Sequence, residues 1–132
     1  MPAGAVRLLA LDGGGVRGLS SLMILRRLMA AVDLDAPPRP CDYFDMIGGT
    51  STGGLIAIML GRLRMTVDEC IDAYTSLFDR VFEKKSHRVK IRGELQGRFD
   101  AAELERSVKQ ILASRGLGED ALLKDGDSSC KV

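Results

Sequence analysis

The sequence predicts an α/β fold built on a parallel sheet, on three observations. A short apolar run, Val6 to Leu11, leads into Asp12-Gly13-Gly14-Gly15-Val16-Arg17-Gly18. After it Leu19, Leu22, Met23, Leu25, Leu28, Met29 and Val32 recur at the spacing of one helix face. Beyond a proline-rich connection, a second apolar run from Tyr43 to Ile47 ends in Gly48-Gly49-Thr50-Ser51-Thr52-Gly53-Gly54. Strand, helix and strand joined by one crossover must be parallel, and a right-handed connection leaves them adjacent or nearly so. Both glycine loops then open at one carboxyl edge, where open α/β sheets bind ligands.

Composition narrows the function. The chain has 132 residues and 45% hydrophobic content, enough for one small domain with a core. A net charge of +1 gives no general attraction to nucleic acid or acidic membranes, so no nucleic-acid partner is expected. Cys41, Cys70 and Cys130 are widely spaced, without a paired-cysteine motif or a histidine cluster. This argues against a disulfide framework or a zinc site and points to a reducing compartment. The start lacks the pattern of a leader, and no run reaches the length of a membrane span. A cytoplasmic protein is expected, at most peripheral to membranes. No cofactor is expected, and no clustered carboxylate loop indicates calcium.

Taken in order, the first loop offers three successive glycines whose N–H groups form a nest for negative charge at a helix N-terminus. Gly13-x-Gly15-x-x-Gly18 also satisfies the dinucleotide fingerprint, although the acidic residue wanted at the end of the second strand is replaced by the serine turn. Pro37, Pro38 and Pro40 are expected to end the first helix, with the second strand beginning at about Tyr43. Gly49-Thr50-Ser51-Thr52-Gly53 then reads as a nucleophile elbow, a strained strand-to-helix turn that lifts the Ser51 hydroxyl clear of the sheet. Gly49 and Gly53 flank it because a side chain there would collide where strand and helix nearly touch. The blander reading makes Ser51 a helix cap in a glycine-rich turn. Leu55 to Leu60 predicts a helix apolar on all sides.

Thr66 with Glu69 predicts a capping box, followed by a stripe of Val67, Cys70, Ile71, Tyr74, Leu77, Phe78, Val81 and Phe82. That stripe reads as core in preference to a lipid-binding face. Lys84 to Arg92 is strongly basic and reads as a solvated linker, with contact to anionic headgroups as the alternative. Asp100 with Glu103 resembles a second capping box, opening a helix with Leu104, Val108, Ile111 and Leu112 on one face that Gly116 and Gly118 stop. Asp125-Gly126-Asp127 is turn-like, and Cys130-Lys131-Val132 opens a further strand.

The chemistry follows from the shared edge. The glycine nest offers donors for an oxyanion and Ser51 offers a nucleophile, so the two loops together suggest acyl transfer. A serine hydroxyl needs a base. His87 is the sole histidine and could formally act with Asp68, Asp72 or Asp79, but it lies among cations that disfavour an imidazolium.

The two motifs together resemble the patatin-like phospholipase family, and the run from Arg62 to Tyr74 resembles its intracellular, fungal-type members. The resemblance implies a three-layer α/β/α patatin-like fold with a mainly parallel sheet, of which only the N-terminal portion is present. It implies hydrolysis of acyl esters of phospholipids or neutral lipids by a Ser-Asp dyad. Ser51 would be the nucleophile, and the backbone of Gly13, Gly14, Gly15 and Arg17 the oxyanion hole. The family's second catalytic residue lies in an Asp-Gly-Gly or Asp-Gly-Ala motif far beyond the serine. Asp125-Gly126-Asp127 is the nearest match, too close to Ser51 and ahead of a strand, so residues 1–132 are expected to be the N-terminal part of one such domain, cut before its catalytic Asp. Two other readings stand beside this one: a nucleotide-binding domain using Gly13, Gly15 and Gly18, and a catalytically silent interaction module.

Overall fold

The computed structural model describes residues 4–92 and 101–132, and of residues 82–92 the backbone only. Strand β1 is Leu8–Leu11, helix α1 Arg17–Val32, a short α2 Pro40–Tyr43, strand β2 Met46–Gly49, α3 Thr52–Ala57, α4 Val67–Arg92 and α5 Ala101–Ser114. The α/β class and the parallel pairing are as the sequence predicts: β1 and β2 are hydrogen-bonded neighbours in parallel register, with Leu8 opposite Met46 and Leu11 opposite Gly49. Lys131 forms a parallel bridge with Met46, and Ile47 N–H donates to Lys131 C=O at 2.8 Å. Lys131 thus pairs with β2 as an isolated bridge, on the edge away from β1.

Several boundaries differ from expectation, each for a local reason. Helix α1 stops at Val32, ahead of the prolines, because Asp33 is extended and its Oδ1 accepts the N–H groups of Asp35 and Ala36, both at 3.1 Å. A short acidic side chain that bonds nearby backbone competes with the next helical turn. Tyr43 belongs to α2 and not to the strand, because Pro40 opens a single helical turn closed by Phe44 N–H on Pro40 C=O at 2.8 Å. Pairing starts only at Met46, after Asp45 has exchanged two bonds with Arg7: its N–H donates to Arg7 C=O at 2.9 Å, and its carboxylate accepts Arg7 N–H at 2.8 Å. The expected apolar helix is α-helical through Ala57 and then widens to a π turn over Ile58–Arg62, with Leu63 N–H donating to Ile58 C=O at 3.0 Å.

The chain divides into two compact units. One comprises residues 4–72 with 122–132, and the other residues 73–121. In the first, Leu22, Leu25 and Met29 of α1, Ile47 of β2, and Ile56, Met59 and Leu60 after the elbow form the buried core, with Cys70 of α4 among them. The capping box forms at the start of α4: Glu69 N–H donates to Thr66 Oγ1 and Thr66 N–H to Glu69 Oε1, both at 3.1 Å. In the second unit Tyr74, Leu77 and Val81 are buried, so this part of the predicted stripe is core. Helix α5 ends as predicted at Gly116, which takes φ +74°, while Leu117 N–H donates to Leu112 C=O and Gly116 N–H to Ala113 C=O, both at 3.0 Å. The linker reading of Lys84 to Arg92 is corrected: the backbone stays helical through Arg92. The side chains of that basic stretch, His87 included, and the Asp100 cap lie outside the described residues. Among the described residues no helix is long and apolar enough to cross a membrane.

Cys70 supplies a test of the core. Burial pushes its thiol up to about 12 from an ordinary 9.0. Below pH 9 the thiol is neutral in both folded and unfolded chains, so its contribution is fully present. Between about 9 and 12 only the unfolded thiol ionises, which draws the equilibrium towards unfolding. The expected result is an alkaline loss of stability, on the order of a few kcal/mol, that Cys70→Ala does not share, read from urea midpoints at pH 7, 9 and 11. Parallel curves for the two proteins would show that Cys70 is not sealed from solvent.

Candidate active site

The carboxyl ends of β1 and β2 carry the two loops side by side. Thr50 N–H donates to Leu11 C=O at 3.1 Å, extending the ladder one residue past β2. Ser51 follows with φ +55° and ψ −126°, a region that L-residues other than glycine seldom occupy. Such a backbone costs on the order of 1–3 kcal/mol and persists only where its surroundings over-determine it. Here they do. A Cβ on Gly49 would fall 2.4 Å from the Gly53 carbonyl carbon and oxygen, and one on Gly53 would fall 2.3 Å from the Leu11 carbonyl oxygen. The first contact is between incoming strand and outgoing helix. The second is between that helix and the end of β1, an approach that local sequence does not show.

The glycine loop lies directly over the serine. A Cβ on Gly13 would be 2.7 Å from both Ser51 Cβ and Thr50 O, and 3.4 Å from Ser51 Oγ. Gly14 and Gly15 take φ of +143° and +58°, both open to glycine and costly to other residues. The loop's donors are engaged. Gly13 N–H donates to Thr50 Oγ1 at a long 3.4 Å on the exposed side, Gly14 N–H to Thr52 Oγ1 at 3.2 Å, and Arg17 N–H to Gly14 C=O at 3.2 Å. Ser51 is exposed, Thr52 is buried, and Gly53 and Gly54 close the first turn of α3 on the carbonyls of Thr50 and Ser51, both at 2.9 Å.

The structure thus brings Ser51, Gly13, Gly14, Thr50, Thr52, Gly49 and Gly53 into one small volume. It does not bring Asp125 there. Asp125 lies 3.8 Å from Arg62, lining a cavity of about 430 Å³ with Leu123, Ser128 and Val132, and its carboxylate also holds the Asp127 N–H at 3.1 Å. Arg62 ends the helical run that Thr52 begins. At about 1.5 Å per residue its two ends are about 15 Å apart, so Asp125 pairs with a residue at the end of this run opposite Ser51. Asp68 lies 3.2 Å from Arg26, and Asp72 and Asp79 are exposed. Among the described residues no cluster of side chains could hold a metal ion. The hydroxyl contacts of Thr50 and Thr52 to the glycine loop escaped the sequence reading; the signal was a hydroxyl residue on either side of the serine, facing a loop rich in N–H donors.

Comparison with known proteins gives a consistent family. The model of the family described as patatin-like phospholipase matches residues 9–126. Calcium-independent phospholipase A2-gamma of Rattus norvegicus is 46% identical over 77 residues, 58% of this chain and 9% of that protein. Phospholipase A I of Arabidopsis thaliana is 38% identical over 82 residues, covering 62% of this chain and 6% of that protein. Patatin-like protein 1 of Oryza sativa subsp. indica is 45% identical over 92 residues, 64% of this chain and 22% of that protein. The chain therefore spans under a quarter of the length of each of these relatives. No solved structure matches it.

Proposed function

The chain belongs to the patatin-like phospholipase family, and from that premise we propose that it is the nucleophile-bearing part of a serine lipid acyl hydrolase. The observation that carries the reading is Ser51: a non-glycine residue at φ +55° between β2 and α3, exposed, with Gly13 packed over it. In this reading Ser51 Oγ attacks the carbonyl carbon of a phospholipid or neutral-lipid ester. The carbonyl oxygen becomes an oxyanion, the alcohol departs with the serine proton, and water then releases the fatty acid from the acyl-enzyme.

The oxyanion would be received within the loop formed by Gly13, Gly14, Gly15 and Arg17, with Gly14 N–H, which donates to Thr52 Oγ1, and Arg17 N–H, which donates to Gly14 C=O, holding the shape of that loop. Gly13 leads, because its bond to Thr50 Oγ1 is long and exposed, and a charge-assisted bond to an oxyanion is the stronger alternative. In the same reading the acid of the Ser-Asp dyad lies beyond Val132, supported by Asp125 pairing with Arg62, past the end of α3. Contact with a lipid surface belongs to the same proposal.

A fluorophosphonate probe tests it, applied to this chain, its Ser51→Ala variant and a chain continued past Val132. Ser51-dependent labelling is expected, slow in the 132-residue chain and accelerated in the continued one, with the adduct mapped to the Ser51 peptide by mass spectrometry. Labelling that survives Ser51→Ala, or none in either length, overturns the assignment.

A further inference from the structure

We infer that Thr52 is a positioning residue whose hydroxyl holds the glycine loop in place over Ser51. The inference rests on the reading of Ser51 as nucleophile. Thr52 is the first residue of α3 and only 8% exposed, and its Oγ1 accepts the Gly14 N–H at 3.2 Å. The Gly14 carbonyl is held from the other side by Arg17 N–H at the start of α1, also at 3.2 Å. Gly14 is thus gripped by two helices, one on each of its backbone polar groups, in a conformation at φ +143° that has no side chain to steady it.

The neighbouring residue completes the attachment by the opposite means. Gly53, having no side chain, lets α3 close on the Leu11 carbonyl, while Thr52, having one, reaches to the loop that follows. Gly13 sits between these two anchor points, directly over Ser51. Its placement relative to the reacting atom therefore depends on the Thr52–Gly14 bond. The more accessible Thr50 bond to Gly13 N–H is longer, at 3.4 Å, and is the one an incoming oxyanion replaces. Without the Thr52 acceptor, Gly14 N–H keeps no partner among the described residues, and the loop gains freedom to move away from the serine. A shift of about 1 Å in a reacting constellation costs on the order of a hundredfold in rate, so even partial loosening is measurable.

The test compares Thr52→Val, which keeps the shape and loses the acceptor, with Thr52→Ser, which keeps the acceptor and loses the methyl. Fluorophosphonate labelling of Thr52→Val is expected to slow about tenfold, in the maximal labelling rate and not in probe affinity, and the Gly14 amide resonance to shift with faster hydrogen exchange. Thr52→Ser is expected to retain both the rate and the Gly14 resonance. A merely structural threonine would give the reverse order, with the serine variant the weaker. Wild-type labelling and an unmoved Gly14 amide in Thr52→Val would overturn the inference. Should that variant fail to fold, free-loop exchange of Gly14 N–H in the unaltered chain would overturn it equally, and slow exchange would support it. If Ser51 itself takes no label, the nucleophile assignment falls, while the Gly14 resonances still decide whether Thr52 holds the loop.

Discussion

Gly53→Ala is expected to abolish cooperative folding of the unit formed by residues 4–72 and 122–132. The added Cβ would lie 2.3 Å from the Leu11 carbonyl oxygen, 2.8 Å from its carbon and 3.0 Å from the Asp12 carbonyl carbon. All three are backbone atoms, so no side chain can rotate aside. Leu11 cannot retreat, because it is paired with Gly49 and its carbonyl accepts Thr50 N–H at 3.1 Å. Relief requires parting β1 from β2 or tilting α3 away from the core that Ile56 and Leu60 fill. A loss of about 4 kcal/mol or more is expected, against the roughly 5–15 kcal/mol that holds a domain together. Urea unfolding followed by circular dichroism checks it, with Gly48→Ala as the control. Gly48 is five residues away, inside β2, and a Cβ there meets nothing within 4 Å. A Gly53→Ala transition within 1 kcal/mol of the parent, by the same order-of-magnitude scale, would mean that the helix does not close on the strand as described.

Gly13→Ala is expected to leave the fold intact and to cut Ser51 labelling by about a hundredfold. The clash, at 2.7 Å to Ser51 Cβ and Thr50 O, is milder than the 2.3–2.4 Å contacts in the elbow but still closer than a Cβ tolerates. Its setting differs, because Gly13 follows β1 instead of pairing within it and is only half-buried. The loop can lift, and lifting removes the Gly13 N–H from the place where an oxyanion would form. Stability measured beside the labelling rate separates the two effects. Undiminished labelling in a folded Gly13→Ala protein would show that the loop does not lie over the reacting atoms.

Much of this arrangement was legible in the residues. Alternation of apolar runs with glycine loops sufficed for strand, helix and parallel strand, because a single crossover leaves no other sense of pairing. The capping box at Thr66 and Glu69 and the glycine stop at Gly116 were equally plain, since each depends on residues within a few positions of one another. The failures have a common cause. Asp33 ended α1 early through bonds to the residues just after it, and Asp45 delayed β2 through a bond to Arg7, 38 positions away; hydrophobic periodicity registers neither bond of an acidic side chain. The helical backbone through Arg92 runs counter to the linker reading because charge alone does not prevent a helix.

Sequence alone therefore determined the class, the βαβ order, the family and the identity of the candidate serine, all of which follow from local pattern. Tertiary structure decided what distance controls. It set Gly53 against Leu11 and Gly13 over Ser51, turned the hydroxyls of Thr50 and Thr52 towards the loop's N–H groups, and left Asp125 beside Arg62, past the end of α3. These contacts join residues about 40 positions apart, and only the packing of two strands and a helix at one sheet edge fixes whether such residues meet.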